Sequence, residues 1–261
     1  MNVLILGCGY TGQRVAARFI ARGANVIGTH RESDIRQAVT PGVLVLHSVP
    51  PPANVLDALG DAPSRVVYLS TTSVYGSARL VDENTPVDPT SQRARLRLAE
   101  EQRVAAGPWS SLILRPAAIY GPGRGIHERV LRGEPCEIGD NFISRIHVDD
   151  LAAHVAAGLL SDVTGAYPVA DEEPCTSREI VEFCASILKD APDEQAKACS
   201  TTPNYVEQAL ACSFNQVPGT RLTNRRVDGA AIRKLLGITL QYPSYKIGIP
   251  AALTQQPLHR P

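Results

Sequence analysis

The clearest chemical capacity in this sequence lies in Gly7-Cys-Gly9-Tyr-Thr-Gly12. Gly7 suits a backbone bend that other residues resist. Gly9 keeps any side chain from standing between the main chain and a pyrophosphate, and Gly12 lets a following helix press against the preceding strand. The free N–H groups and positive dipole at such a helix start attract phosphate oxygens. About 20 residues further on, where a dinucleotide-binding unit contacts the adenosine ribose, stands Arg31. Its guanidinium can pair with a 2′-phosphate, which favours NADP over NAD; the alternative is a solvated arginine beside Glu32. A third group, Ser70-Thr-Thr-Ser-Val-Tyr-Gly76, offers hydroxyls that either bond a substrate oxygen or simply close turns.

These residues need a scaffold that presents strand ends. Val3 to Leu6 is an unbroken apolar run, the pattern of a strand buried on both faces, and Val15, Ala16, Phe19 and Ile20 then recur at helical spacing. Further strands are expected over 26–29, 42–46, 65–69, 111–114 and 166–170. Helices are expected over 90–105, from a cap in 144–150 to about 160, over 177–189 capped by Thr176 or Ser177, and over 228–236, stopped by Gly237. The 90–105 helix is rich in Arg and Glu, with Leu96 and Leu98 among its few large apolar residues. Residues 32–38 and 54–59 supply only short helical turns, so one strand–helix unit is shortened or missing in this half. Between about 190 and 225, prolines and scattered polar residues suggest loops around a short helix near 203–212. The fold class is α/β, a Rossmann-type doubly wound parallel sheet with a small C-terminal lobe. Residues 1–160 form the dinucleotide-binding domain, its sheet completed by a strand near 166–170, and 161–261 the interleaved substrate lobe.

Bulk properties narrow the partners. The 261 residues are 44% hydrophobic with a formal net charge of zero. That gives no electrostatic case for nucleic acid or an anionic membrane surface. No apolar run approaches a membrane span, and the first residues lack the basic start of a signal peptide, so a cytoplasmic location is expected. The six cysteines show no C-x-x-C and no zinc spacing, which points to thiols in a reducing compartment and no metal site. The expected partner is a small-molecule substrate, with a homodimer compatible.

Five motifs in order carry a resemblance: Gly7-x-Gly9-x-x-Gly12, Ser70-Thr-Thr-Ser-Val-Tyr-Gly76, Glu83-Asn-Thr-Pro-Val-Asp-Pro89, Leu114-Arg-Pro-Ala-Ala-Ile-Tyr-Gly-Pro-Gly123 and Arg145-Ile-His-Val-Asp-Asp-Leu-Ala152. Together with a late Leu236-Gly237 and Tyr242-Pro243, this pattern resembles the NAD(P)-dependent epimerase/dehydratase family of extended short-chain dehydrogenases. The resemblance implies hydride chemistry on a carbinol. It also implies a cofactor-binding set of Gly7, Gly9, Tyr10, Thr11, Gly12, Arg31, Ser70, Thr71, Arg97, Pro116, Ala118 and Ile119, with Thr71 as the catalytic Ser/Thr that bonds the substrate oxygen.

The family's Y-x-x-x-K pair is absent. Its two positions hold Arg93 and Arg97, lysine occurs only at 189, 197, 234 and 246, and no tyrosine lies between Tyr75 and Tyr120. The only literal match, Tyr242 to Lys246, straddles a proline and is read as an accident. Arginine stays protonated and cannot relay a proton, although Arg97 could hold the nicotinamide ribose and Arg93 an anionic substrate. Tyr75 and Tyr120 are the remaining phenols that could donate, each also readable as a packing residue. Nucleotide-sugar epimerases carry an arginine where this chain has Ile143, which argues against such a substrate. His147, Asp149 and Asp150 are read as structural, with a carboxylate capping the next helix. Two readings stay open: an NADP-dependent oxidoreductase or epimerase-like enzyme of an atypical branch, and a non-catalytic NADP(H) sensor.

Overall fold

The computed structural model describes residues 1–29, 35–132, 134, 136, 138–190 and 224–255. Its centre is a six-stranded sheet of β1 (Asn2–Leu6), β2 (Asn25–Thr29), β3 (Leu44–His47), β4 (Arg65–Leu69), β5 (Ser110–Pro116) and β6 (Gly165–Val169). The spatial order is β6-β5-β4-β3-β1-β2 and every neighbouring pair is parallel. The order reverses between β1 and β3, which opens a crevice at the strand carboxyl ends, where open α/β sheets bind ligands.

Alternation along each strand divides the core. Val3, Ile5, Leu46, Val67, Leu112 and Leu114 face one side, under α1 (Tyr10–Ile20) and α4 (Val148–Leu159). Leu4, Leu6, Val45, Val66, Tyr68 and Ile113 face the other. That second face is covered by α2 (Gln92–Ala105), which contributes Val104, and by 3₁₀ turns at Arg36–Ala38 and Leu56–Ala58. No full crossover helix is present among the described residues of these two connections, as the compact spacing predicts.

Several boundaries differ from expectation. The helix after the 144–150 motif is capped by His147, whose Nδ1 accepts from the Asp149 N–H at 3.3 Å, and not by a carboxylate. Asp149 instead receives Arg14 Nε from α1 at 3.0 Å, and Asp150 accepts the Gln241 and Tyr242 N–H groups. α5 (Ser177–Asp190) starts in a reciprocal capping box: Thr176 Oγ1 accepts from Glu179 N, and Glu179 Oε2 accepts from Thr176 N. α6 begins at Ala230 with Asp228 accepting its N–H, ends at Leu236 and is closed by Gly237 in left-handed conformation. It is not the last helix, because α7 (Tyr245–Thr254) follows with Pro250 inside it. α3 is a short helix at Ile126–Leu131. Arg31 and the helix expected near 203–212 lie outside the described residues.

Candidate cofactor cleft and substrate cavity

The glycine loop joins β1 to α1 as its residue types require. Gly7 has φ +84°, and a Cβ on Gly12 would stand 2.9 Å from the Gly7 carbonyl oxygen and 3.0 Å from Ile5 Cγ2. Only glycine permits the helix to lie so close. A Cβ on Gly9 would meet nothing within 4 Å, so the space beyond it is open. The start of α1 has no side-chain cap. Its first N–H groups, including those of Tyr10 and Thr11, are therefore available to an anion. Tyr10 walls the loop, its hydroxyl donating to the Pro122 carbonyl at 3.1 Å and its ring packed against the Arg14 and Arg124 guanidiniums. An open cradle with free N–H groups fits a dinucleotide pyrophosphate.

The hydroxyl motif follows β4 and folds into a 3₁₀ turn over Thr72–Tyr75, with Thr71 as its cap and Thr71 Oγ1 accepting from Ser73 N at 3.2 Å. The turn-closing and ligand-facing readings of these hydroxyls thus coexist. Thr71, Thr72, Ser73 and Ser144 line a cavity of about 410 Å³ with Pro116, Ala117 and Ala118. Ser70 Oγ is buried nearby in sequence without a partner. Arg225 closes another wall, its Nε donating to the Ala78 carbonyl at 2.9 Å and its Nη groups to the Thr72 and Gly76 carbonyls. Among the described residues only Arg225 of the lining side chains is ionisable, and burial lowers its pKa.

α2 presents a charged face to the sheet. Arg97 is buried and Nη1 donates both to Tyr68 Oη and to the Leu69 carbonyl, each at 3.1 Å, at the carboxyl end of β4. Arg93 is exposed in the first turn and does not line the cavity, where Thr90 and Ser91 stand instead. The expectation that it meets an anionic substrate is corrected accordingly: the helix enters at a place where position 93 faces out. Glu101 pairs with Arg115 of β5, and Arg115 Nη1 donates to the Tyr75 hydroxyl at 3.1 Å.

Neither tyrosine is placed as a proton donor. Tyr75 is 1% exposed, and burial raises its hydroxyl pKa. Tyr120 is 3% exposed, lies edge-on to His127 and His147, and donates to the Ser244 carbonyl at 3.3 Å; burial raises its pKa as well. Tyr120 lines a second space beside this cavity, outside the lining that holds Thr71. Tyr242 and Lys246 stand away from the cavity, Lys246 paired with Glu173. Ile119 lies one residue beyond the cavity's Ala118, in the wall of a second space. Sequence reading missed Arg225 and Ser144, whose positions depend on distant segments meeting.

A family model for the NAD dependent epimerase/dehydratase family matches residues 33–165. The chain is 28% identical to protein YeeZ of Escherichia coli (strain K12), with 93% of this chain and 96% of that protein covered. It is also 28% identical to a 3-diazoavenalumate denitrifying reductase from Streptomyces sp over 65% of this chain, spanning 58% of the reductase. A solved structure of a conserved protein of unknown function from Silicibacter pomeroyi DSS superposes with TM-score 0.72 and 32% identity, covering 96% of this chain and 97% of that one. Two more distant structures share the fold: human SDR39U1 with NADPH (TM-score 0.71, 16% identity, 98% and 100% covered) and the UDP-glucose 4-epimerase of Thermus thermophilus with NAD (0.71, 22%, 97% and 98%). The glycine cradle, the hydroxyl turn and these matches lead to one conclusion: the chain belongs to the NAD dependent epimerase/dehydratase family.

Proposed function

We propose that this chain binds NADP(H) across the Gly7–Gly12 cradle and carries out oxidoreduction of a small carbonyl or carbinol compound in the cavity beside Thr71. The observation that carries the reading is the cavity itself, lined by Thr71, Thr72, Ser73 and Ser144 at the carboxyl ends of β4 and β5. The bound cofactor supplies a hydride in the reductive direction. Thr71 donates to the substrate oxygen, Arg97 holds the ribose side of the cleft, and Pro116, Ala118 and Ile119 form the wall for the nicotinamide. Reduction of a carbonyl adds the hydride to carbon and a proton to oxygen. With only Arg225 ionisable in the lining among the described residues, that proton comes from water admitted to the cavity. Preference for NADP rests on Arg31, which can pair with the 2′-phosphate. Two relatives are named as reductases, in keeping with the reductive direction.

The same lining favours a second reading, an NADP(H) sensor, because among the described residues it holds no histidine, carboxylate, tyrosine or lysine to transfer a proton. Calorimetric titration with NADPH and NADH, followed by NADPH consumption with a panel of aldehydes and ketones, separates them. The enzyme reading expects tighter NADPH binding that Arg31→Ala equalises, and turnover that Thr71→Val lowers at least tenfold. Tight NADPH binding without turnover on any carbonyl leaves the sensor. Equal affinities in the unaltered protein overturn the NADP assignment.

A further inference from the structure

A second cavity of about 270 Å³ adjoins the first, and the two share Ala118 and Ile143 as walls. Ile126 of α3, Ile180 of α5 and Ile249 of α7 converge on its far side. Such a wall matches a hydrocarbon body and leaves sugar hydroxyls without partners. Five polar side chains interrupt it: Tyr120 and Ser177, whose hydroxyls donate to the Ser244 and Gly139 carbonyls, together with Arg129, His127 and Arg145. His127 is 1% exposed; its Nε2 has no hydrogen-bond partner among the described residues and stands 3.7 Å from Glu128 Oε1. Arg145 is buried, with Nη1 on the Ile143 and Cys175 carbonyls and the Cys175 sulfur.

The charged side chains that line the two cavities are Arg129, Arg145 and Arg225. Neither lining contains an aspartate or glutamate, whereas a separate groove beyond Val227 holds Asp82, Asp171, Glu172 and Asp228. Asp171, which feels the Arg145 charge, is pushed up to about 8 by burial and so keeps its proton at neutral pH. Arg145 is a buried cation that bonds no carboxylate among the described residues, and a ligand anion would lower its energy. A nucleotide diphosphate fits poorly, because the residue between the two spaces is Ile143.

We propose that the two cavities form one bipartite substrate chamber for an apolar carboxylic acid: its carbonyl meets Thr71, its body passes between Ala118 and Ile143, and its carboxylate reaches Arg145. This rests on the oxidoreductase reading and names its substrate class. The reduction it implies moves a hydride from NADPH to the carbonyl carbon and a proton from water to the oxygen, giving the hydroxy acid, NADP⁺ and hydroxide, which returns to solvent.

The test uses 4-formylcinnamate, its methyl ester, glyceraldehyde and UDP-glucose with full-length protein carrying labelled isoleucine methyls, with and without NADP⁺. The chamber predicts that 4-formylcinnamate shifts the Ile126, Ile180 and Ile249 methyl resonances, binds at least tenfold tighter than the ester or glyceraldehyde, and is excluded by Ile180→Trp. Ile126→Trp repeats the exclusion from a different helix should the first variant fold poorly. Methyl shifts caused by UDP-glucose, or none caused by 4-formylcinnamate, overturn the chamber. NADPH consumption is measured in parallel. Methyl shifts without consumption uphold the chamber while removing the reductase reading, and consumption of glyceraldehyde without methyl shifts upholds the reductase and overturns the chamber.

Discussion

Glu101 holds Arg115 with both carboxylate oxygens, Oε2 at 2.6 Å from Nη2 and Oε1 at 3.1 Å from Nε. Both side chains are buried, and the guanidinium continues to the Tyr75 hydroxyl inside the hydroxyl turn. Glu101→Gln removes the counter-charge of a buried cation, a change that costs about 3–5 kcal/mol. Urea denaturation should register that loss; a loss below about 1 kcal/mol would mean that water reaches the pair.

The glycine cradle separates folding from binding. Gly12→Ala drives a methyl into the Gly7 carbonyl and Ile5, so its thermal midpoint should fall by several degrees. Gly9→Ala adds a methyl to open space and should leave the midpoint unchanged while weakening NADPH binding at least tenfold. Calorimetry on both variants checks the contrast.

Stability should peak near pH 6.5. Asp171 is pushed up to about 8, so between its unfolded value near 4 and pH 8 the unfolded chain releases a proton that the folded protein keeps, and stability falls as pH rises. Burial lowers the pKa of His47, His127, His147 and His154, the last two to about 4. Below about 6.5 the unfolded chain binds protons that these buried rings refuse, so stability falls as pH drops toward 4. Asp171→Asn should stabilise at pH 8 by on the order of 3 kcal/mol, with the gain vanishing near pH 4. Denaturant midpoints across pH 4 to 9 measure both arms.

Arg225 ties a segment far along the chain to the turn that carries Thr71. Arg225→Ala leaves the Thr72, Gly76 and Ala78 carbonyls without their donor, at about 1–3 kcal/mol for a buried unsatisfied group. Thermal unfolding should show the loss, and resonances of Thr71 to Gly76 should shift while those of β2 stay in place.

Much of the sheet was readable because β1, β3, β4 and β5 carry unbroken apolar runs, and the cradle because three glycines at fixed spacing between a strand and a helix have few other uses. The inward face of α2 was not readable from hydrophobicity. Leu96 is 37% exposed, while Arg97, Glu100 and Glu101 are buried beside Ala94 and Val104. Each of these charges is bonded across to the sheet, and only the partner strands, distant in sequence, make the burial tolerable. α7 was missed because Gly248 and Pro250 interrupt its pattern and apolar residues surround it on several sides. Arg225 escaped because arginine reads as solvated until the carbonyls that receive it are known.

The sheet is unevenly clothed. β4, β5 and β6 lie among α2, α4 and α6, while the described parts of the β2–β3 and β3–β4 connections contribute only 3₁₀ turns, and β2 is an edge. Amide hydrogens of β2 and β3 should therefore exchange through local opening before those of β4 and β5, making the adenosine-binding half the weaker cooperative unit. A dinucleotide laid across that half would spend part of its binding energy on slowing exchange there, so cofactor occupancy would be recorded in the protection of strands it does not chemically alter.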